Sequence, residues 1–120
     1  MNYNDYCWHD AIIRNIQIDR INPGIEDTIK FEIEWPEGKG KATFIFENVY
    51  WVNLDLNFGI IVAENIDESF VAENSDLDLV RVKGIWAKML SIELDLQCYV
   101  IKTNSTGGTI KIISMGFKVR

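Results

Sequence analysis

The chain has 120 residues, of which 48% are hydrophobic and 25% are charged, and its formal net charge is −6. These values are typical of a globular protein and exclude a disordered or fibrous one, so we expect a single domain over residues 1–120. The first ten residues lack a basic start and an apolar core, and no apolar run approaches the roughly 20 residues of a membrane span. The sequence therefore predicts a cytoplasmic protein with no membrane partner.

The charges are unevenly distributed along the chain. Residues 42–80 contain no Lys or Arg but eight acidic residues, whereas residues 81–120 contain seven basic residues and two acidic ones. Phosphate contacts need basic side chains, so the acidic middle disfavours nucleic acid as a partner. Two interpretations of this segment stay open: a solvated face that keeps the protein soluble, or a docking surface for a basic protein.

The first part of the chain predicts strands joined by short turns. Isoleucines that share one phase predict a half-buried strand over residues 11–20, and Asn-Pro-Gly at residues 22–24 predicts the turn that ends it. Apolar residues alternate with charged ones over residues 28–35, and the same period returns over residues 42–46. Residues 28–47 are therefore a predicted β-hairpin with one exposed face.

The alternation continues over residues 50–58 and predicts a further strand whose even-numbered residues face the core. Trp51 would then point outward from this strand. Residues 60–66 predict a short central strand, and a turn is expected at residues 67–68 before residues 69–72 continue it.

Helical spacing replaces the strand period after residue 75. The positions of Leu79, Val82 and Trp86 predict one amphipathic helix over about residues 76–90, with Ser75 as its N-cap. A β-branched residue and a glycine inside the segment leave a strand open as the alternative.

The end of the chain predicts a complete β-hairpin. Apolar residues alternate over residues 92–100 and again over residues 110–119, and Asn-Ser-Thr-Gly-Gly at residues 104–108 suits the turn between them. Cys98 lies on the apolar row of the first strand, so we expect it to be a small buried residue rather than half of a disulfide.

The second strand of this hairpin changes phase, which predicts a bulge near Ile112 and Ile113. Together these elements predict the α+β class, mainly β: antiparallel hairpins forming a curled sheet or a sandwich, with one packed helix.

Cys7, His9 and Asp10 are the best candidates for chemistry. His9 is the only histidine, and an imidazole titrates near neutrality, so it could act as a general base or a metal ligand. Neighbouring residues of an extended chain point to opposite faces, so Asp10 can orient His9 only where the chain turns. A zinc site needs more ligands than Cys7 and His9 supply. We therefore expect no metal and no cofactor, and we favour a structural role for these residues over a catalytic one.

A partner-binding surface is predicted in the acidic middle of the chain. An exposed Trp often anchors an interface, and Trp51 lies in the segment that lacks basic residues. The surrounding carboxylates would attract a basic partner over about 8–10 Å. The predicted partner-binding residues are Trp51, Asp55, Glu64, Asp67 and Glu68.

Short motifs along the chain resemble those of a known family. They are Trp8-His9-Asp10 followed by spaced isoleucines, Phe46-x-x-Val49 after a hairpin, and the late turn Tyr99-x-Ile101-x-Thr103-Asn104-Ser105-Thr106-Gly107. In these motifs the chain is similar to the immunity protein 50 group, small bacterial immunity proteins of polymorphic toxin systems. The resemblance implies a largely β fold and a protein that binds and blocks a toxin. It assigns no catalytic residue.

Two functions are therefore considered. The favoured one is a non-enzymatic protein-binding module, an immunity protein that neutralises a bacterial toxin through an acidic face. The alternative is a small enzyme, or a ligand- or metal-binding protein, that uses His9, Asp10 and Cys7. A folded His9→Ala variant separates the two, because it keeps partner binding under the first and loses activity under the second.

Overall fold

The protein is a closed, six-stranded antiparallel sheet with one helix packed on its outer surface. The computed structural model describes residues 1–120. The strands lie in the order β1-β2-β3-β6-β5-β4, and β4 pairs with β1 to close the barrel. The elements are β1 (Ile12–Asn22), β2 (Glu26–Glu34), β3 (Lys41–Asp55), β4 (Glu64–Val71), α1 (Leu77–Leu90), β5 (Gln97–Thr103) and β6 (Thr109–Val119). The predicted class, mainly β with one packed helix, is confirmed, and the sheet is curled so far that it closes on itself.

The barrel interior is filled by side chains that the alternation of β2 and β3 directs inward. Phe44 and Phe46 are fully buried, and the ring centroids of Phe46 and Tyr99 lie 5.0 Å apart. Tyr3, from the N-terminal segment, packs among these rings, and its hydroxyl hydrogen-bonds the Ser69 hydroxyl at 2.6 Å. The interior is thus an aromatic core in which the buried hydroxyls of Tyr3 and Ser69 hydrogen-bond each other.

Helix α1 creates a second core on the outer surface of β5 and β6. Leu79 and Val82 of the helix pack against Cys98 and Ile113. Ile112, the neighbour of Ile113, belongs instead to the barrel interior. The predicted change of phase in β6 is present, because Ile110 and Ile112 face the barrel interior and so do Phe117 and Val119, whose positions have the opposite parity. The predicted position is wrong, since Ile112 and Ile113 pair with β5 without interruption. The ladder between β3 and β6 shifts register opposite Ile113 and Ser114, and the extra residue is on β3.

The two clearest predicted hairpins are confirmed. Strands β2 and β3 pair from Ile29 with Phe46 to Glu34 with Lys41, as expected for residues 28–47. Strands β5 and β6 also pair, with Cys98 buried, although β5 begins at Gln97 rather than at residue 92.

The helix prediction is confirmed, but its capping residue is different. Asp76, not Ser75, is the N-cap, and its carboxylate accepts a hydrogen bond from the Leu79 N–H at 3.1 Å.

The predicted strand over residues 60–66 is displaced, because β4 begins at Glu64 and continues through Asp67 with a register shift instead of a turn. No helix of the protein is long and apolar enough to cross a membrane.

The sheet forks where β2 and β3 separate. Their pairing ends at Ile29 and Phe46, beyond which β2 pairs only with β1 and β3 pairs only with β6. The β1–β2 hairpin therefore projects as a two-stranded ribbon, defined here as residues 18–29. Strand β3 continues to Asp55 with one side of its backbone unpartnered. This fork positions the candidate site.

Candidate functional site

A groove of about 730 Å³ lies in the fork between the ribbon, β3 and the end of α1. The ribbon contributes residues 18–20, 23–25 and 27–29, β3 contributes residues 48–52, and the helix contributes Trp86 and Leu90. More than half of the lining residues are apolar. A concave apolar surface with a few polar groups at its margin is the usual form of a binding site.

Aromatic side chains form the wall of the groove on the helix side. Tyr50 meets Trp86 edge to face, with 5.1 Å between ring centroids. The guanidinium of Arg81 lies over the ring of Trp51, 5.1 Å from its centroid, which is a cation–π distance. Tyr50 and Trp51 are neighbours in sequence but pack in the same outer cluster, because the register of β3 shifts between Val49 and Trp51.

The ribbon gives the groove a polar and acidic margin. Arg20 pairs with Asp27 at 3.3 Å, and the Gly24 N–H donates to the same carboxylate at 2.9 Å. The Gly24 N–H and then Arg20 hold the pKa of Asp27 below its ordinary value. Gly24 has a φ of 81°, which the tight turn of the ribbon requires and which glycine tolerates. Asp27 therefore stabilises the turn of the ribbon through these two contacts.

Trp51 is the one predicted partner-binding residue that lies in this groove. It points to the outer side of the barrel, as the alternation predicted, but it is half-buried against the helix rather than fully exposed. In the sequence, Trp86 served only to locate the helix, and the predicted site did not include the ribbon. The available signal was Ile18, Ile21 and Ile25, three isoleucines near a predicted turn that the structure leaves 50%, 82% and 77% exposed.

Three of the other predicted binding residues lie on a different strand from Trp51. Asp55 ends β3, whereas Glu64, Asp67 and Glu68 lie on β4, and two strands separate β3 from β4 in either direction around the barrel. Glu64 accepts a hydrogen bond from Thr106. The five residues thus occupy two separate regions of the molecule.

Half of the acids of the segment 42–80 are paired with basic residues from later in the chain. Lys111 Nζ lies 2.9 Å from Asp76 Oδ1 and 2.7 Å from Asp78 Oδ2. Similar pairs join Glu47 to Lys118 at 3.2 Å and Glu68 to Lys102 at 3.5 Å. The separation of charge along the sequence is therefore partly cancelled in space, because β5, β6 and α1 place basic residues beside four of the acids.

His9 and Asp10 lie in a turn on the outer surface. Asp10 has a φ of 67°, so the chain does reverse there, and His9 Nε2 lies 3.6 Å from Asp10 Oδ2. His9 Nδ1 donates a hydrogen bond to the backbone carbonyl of Asp67 at 2.9 Å. That carbonyl, and then the Asp10 carboxylate, raise the pKa of His9. The side chain is 70% exposed and its two nitrogens face groups of the protein, which suits a latch between the turn and β4.

The two cysteines lie in different environments. Cys7 is exposed, whereas Cys98 is buried beneath α1. Burial, and then the nearby Asp76, raise the pKa of the Cys98 thiol to about 11, so it stays protonated at neutral pH. No three His, Cys, Asp or Glu side chains are grouped so that they could hold a metal ion.

No family model, curated protein or solved structure matches this chain. The assignment of a function therefore depends on the site itself. The groove contains no histidine, cysteine, serine or lysine, and its Arg20 and Asp27 are already paired. It can bury apolar groups against aromatic rings, and its other polar side chains are Asp19, Thr28, Asn48 and the Tyr50 hydroxyl.

Proposed function

We propose that this protein is a non-enzymatic protein-binding module that holds its partner in the groove of the fork. The observation that carries the proposal is the composition of the groove: aromatic and aliphatic walls around Trp51 and Trp86, with no histidine, cysteine, serine or lysine. Buried Trp residues beside a guanidinium are frequent anchors of protein interfaces. His9, by contrast, lies on an exposed turn outside this groove.

The partner that fits this proposal is a basic protein, and the resemblance to immunity proteins makes a toxin of the same or a sister cell the first candidate. The chain keeps a net charge of −6, which would attract such a partner and speed the encounter. Because half of the acids of the segment 42–80 are paired internally and only Trp51 of the predicted binding residues lines the groove, we assign the lasting contacts to the groove and only the long-range attraction to the charge.

Crosslinking in the source cell tests the location of the site. A photoreactive residue replaces Ile25, which lines the groove and is 77% exposed, and in a matched control it replaces Ile61, which is 99% exposed and lies outside the groove. We expect one protein to crosslink at residue 25 and not at residue 61. Equal crosslinking at both positions would contradict a binding role for the groove.

The partner obtained in this way then tests the antidote function. Expressed alone it should stop growth, and co-expression of the intact chain should restore it. A Trp51→Ala variant should lose about 2 kcal/mol or more of binding free energy, mainly through faster dissociation. A folded His9→Ala variant should protect as well as the intact chain. Loss of protection only in the His9 variant would instead favour the enzyme alternative.

A further inference from the structure

We propose that the partner enters the groove as an extended strand that pairs with the free edge of β3. This inference rests on the proposed function, because it specifies how the same groove would be occupied. It follows from the backbone of the fork rather than from the aromatic wall. An experiment can therefore disprove strand pairing without disproving the proposed function.

The edge of β3 is open over the length of the groove. Strand β2 leaves β3 at Phe46, and residues 48–55 of β3 then pair with β6 alone. No backbone hydrogen bond outside that ladder, and no side-chain hydrogen bond, satisfies their remaining N–H and C=O groups. In an antiparallel strand alternate residues direct these groups away from the partner, so the open side carries a row of donors and acceptors.

This open edge faces into the groove. Val49 and Val52 pack against the barrel interior, whereas Tyr50 and Trp51 pack against the outer cluster under α1. All four nevertheless line the same groove. Side chains from opposite faces of one strand can border a single cavity only around the strand's edge, so the free backbone groups lie between them.

The lining defines the chemistry of the incoming strand. Its inward side chains would meet Val49, Val52 and Ile18, and its outward side chains would meet Tyr50 and Trp86. The strand should therefore be apolar on both faces over about five residues, the span of positions 48–52, and rich in β-branched residues. The ribbon carries three acidic residues and one arginine over residues 18–29, which favours a basic residue at the strand end beside it.

A strand from another protein suits this edge better than a second copy of the chain. Asn48 has a φ of 52°, and the register of β3 shifts beside Tyr50. Such irregularities hinder the long, flat pairing by which identical edges associate. The ribbon and the end of α1 also flank the edge, so a single strand can enter where a whole sheet edge would collide with them. Strand addition of this kind is an established mode of peptide recognition.

Synthetic peptides test the proposal directly. The probe is the peptide Lys-Val-Ile-Val-Ile-Val-Lys, used at concentrations where it is monomeric, and two further peptides carry N-methyl groups on either the odd or the even apolar residues. Alternate N–H groups of a strand point to opposite sides, so only one methylated set removes the donors that would face β3. We expect one methylated peptide to bind at least about tenfold more weakly than the probe and the other to bind nearly as well.

Hydrogen exchange supplies the second measurement. The probe should slow exchange of alternate amides within residues 48–55 by about tenfold or more, and leave the β5 amides unchanged. Absence of probe binding, equal binding of both methylated peptides, or binding without this protection would overturn strand pairing. Protection that rises with protein concentration in the absence of peptide would assign the edge to a second copy and also overturn it. Crosslinking at residue 25 with unprotected amides would leave the proposed function intact and remove only the strand.

Discussion

The helix-covered side of the barrel and the forked side differ in how completely their groups are satisfied. On the covered side β5 lies between β4 and β6, and its outer face is buried beneath α1. On the forked side β3 has a partner on one side only beyond Phe46, and apolar side chains of the ribbon stay exposed. Both sides are built from similar apolar strands. The difference indicates that the covered side provides stability, whereas the fork keeps unsatisfied groups that a partner can use.

The same contrast holds for charge. On the covered side Lys111 is shared by Asp76 and Asp78, and all three side chains are at least partly shielded from solvent. On the ribbon only Arg20 and Asp27 are paired, and Glu26 is exposed. Paired charges hold the helix on the barrel, while Glu26 of the ribbon is exposed and has no basic partner.

The strongest test of this comparison removes a ring from the barrel interior. Phe46→Ala should lower the free energy of unfolding by about 3–5 kcal/mol, because Phe46 is fully buried and the cavity cannot collapse within a closed sheet. Ile25→Ala in the ribbon should change it by less than about 0.5 kcal/mol. Urea unfolding of both variants provides the measurement. Similar losses would mean that the ribbon carries stability and is not reserved for binding.

The cap of α1 should give the next largest effect. Asp76→Ala removes both the hydrogen bond to the Leu79 N–H and the pair with Lys111, so we expect a loss of about 2 kcal/mol. Ser75→Ala should have an effect within about 0.5 kcal/mol, because Ser75 does not cap the helix. Asp76→Asn keeps a capping oxygen and should fall between them. Thermal unfolding of the three variants distinguishes these roles, and a larger loss for Ser75→Ala would place the cap one residue earlier.

Acid should weaken the attachment of α1 on the covered side. Burial acts to raise the pKa of Asp76, but Lys111 and the Leu79 N–H outweigh it, and Lys111 likewise lowers the pKa of Asp78, so both lie below the ordinary 3.8. Their stabilisation is therefore fully present above that value and is lost as pH falls through the lower folded values. Denaturant midpoints measured from pH 6 to pH 2 should fall less steeply for Lys111→Met than for the intact chain. Parallel curves would contradict this role of Lys111.

The smallest effect is expected at His9. The Asp67 carbonyl and the Asp10 carboxylate raise its pKa above 6.5, so its contribution to stability is complete below that value and is lost as pH rises through the folded pKa. NMR titration should give a raised pKa, and Asp10→Asn should reduce the shift without abolishing it, since the carbonyl contributes most. Complete loss of the shift in Asp10→Asn would mean that the carboxylate dominates. His9→Ala should leave peptide binding in the fork unchanged.

The sequence by itself determined the local elements of this protein. Strict alternation over residues 28–35 and 42–46 predicted a real hairpin, and the turn at residues 104–108 joined the strands expected on either side of it. The spacing of Leu79 and Val82 located α1 and the side of it that is buried. These features follow from periods of 2 and 3.6 residues, which any short stretch of sequence carries.

Only the tertiary structure decided how these elements are completed. The alternation of β3 does not reveal that β2 departs at Phe46, because the twist and closure of the whole sheet determine where pairing ends. Ile113 is buried only because α1, some 25 residues earlier in the chain, covers the outer face of β6. The carboxylates of Asp76 and Asp78 are neutralised only because the fold places Lys111 of β6 beside them. The groove could not be predicted from the sequence for the same reason. Three elements that are distant in sequence form it, and its main feature is an open strand edge, which no pattern of side chains indicates.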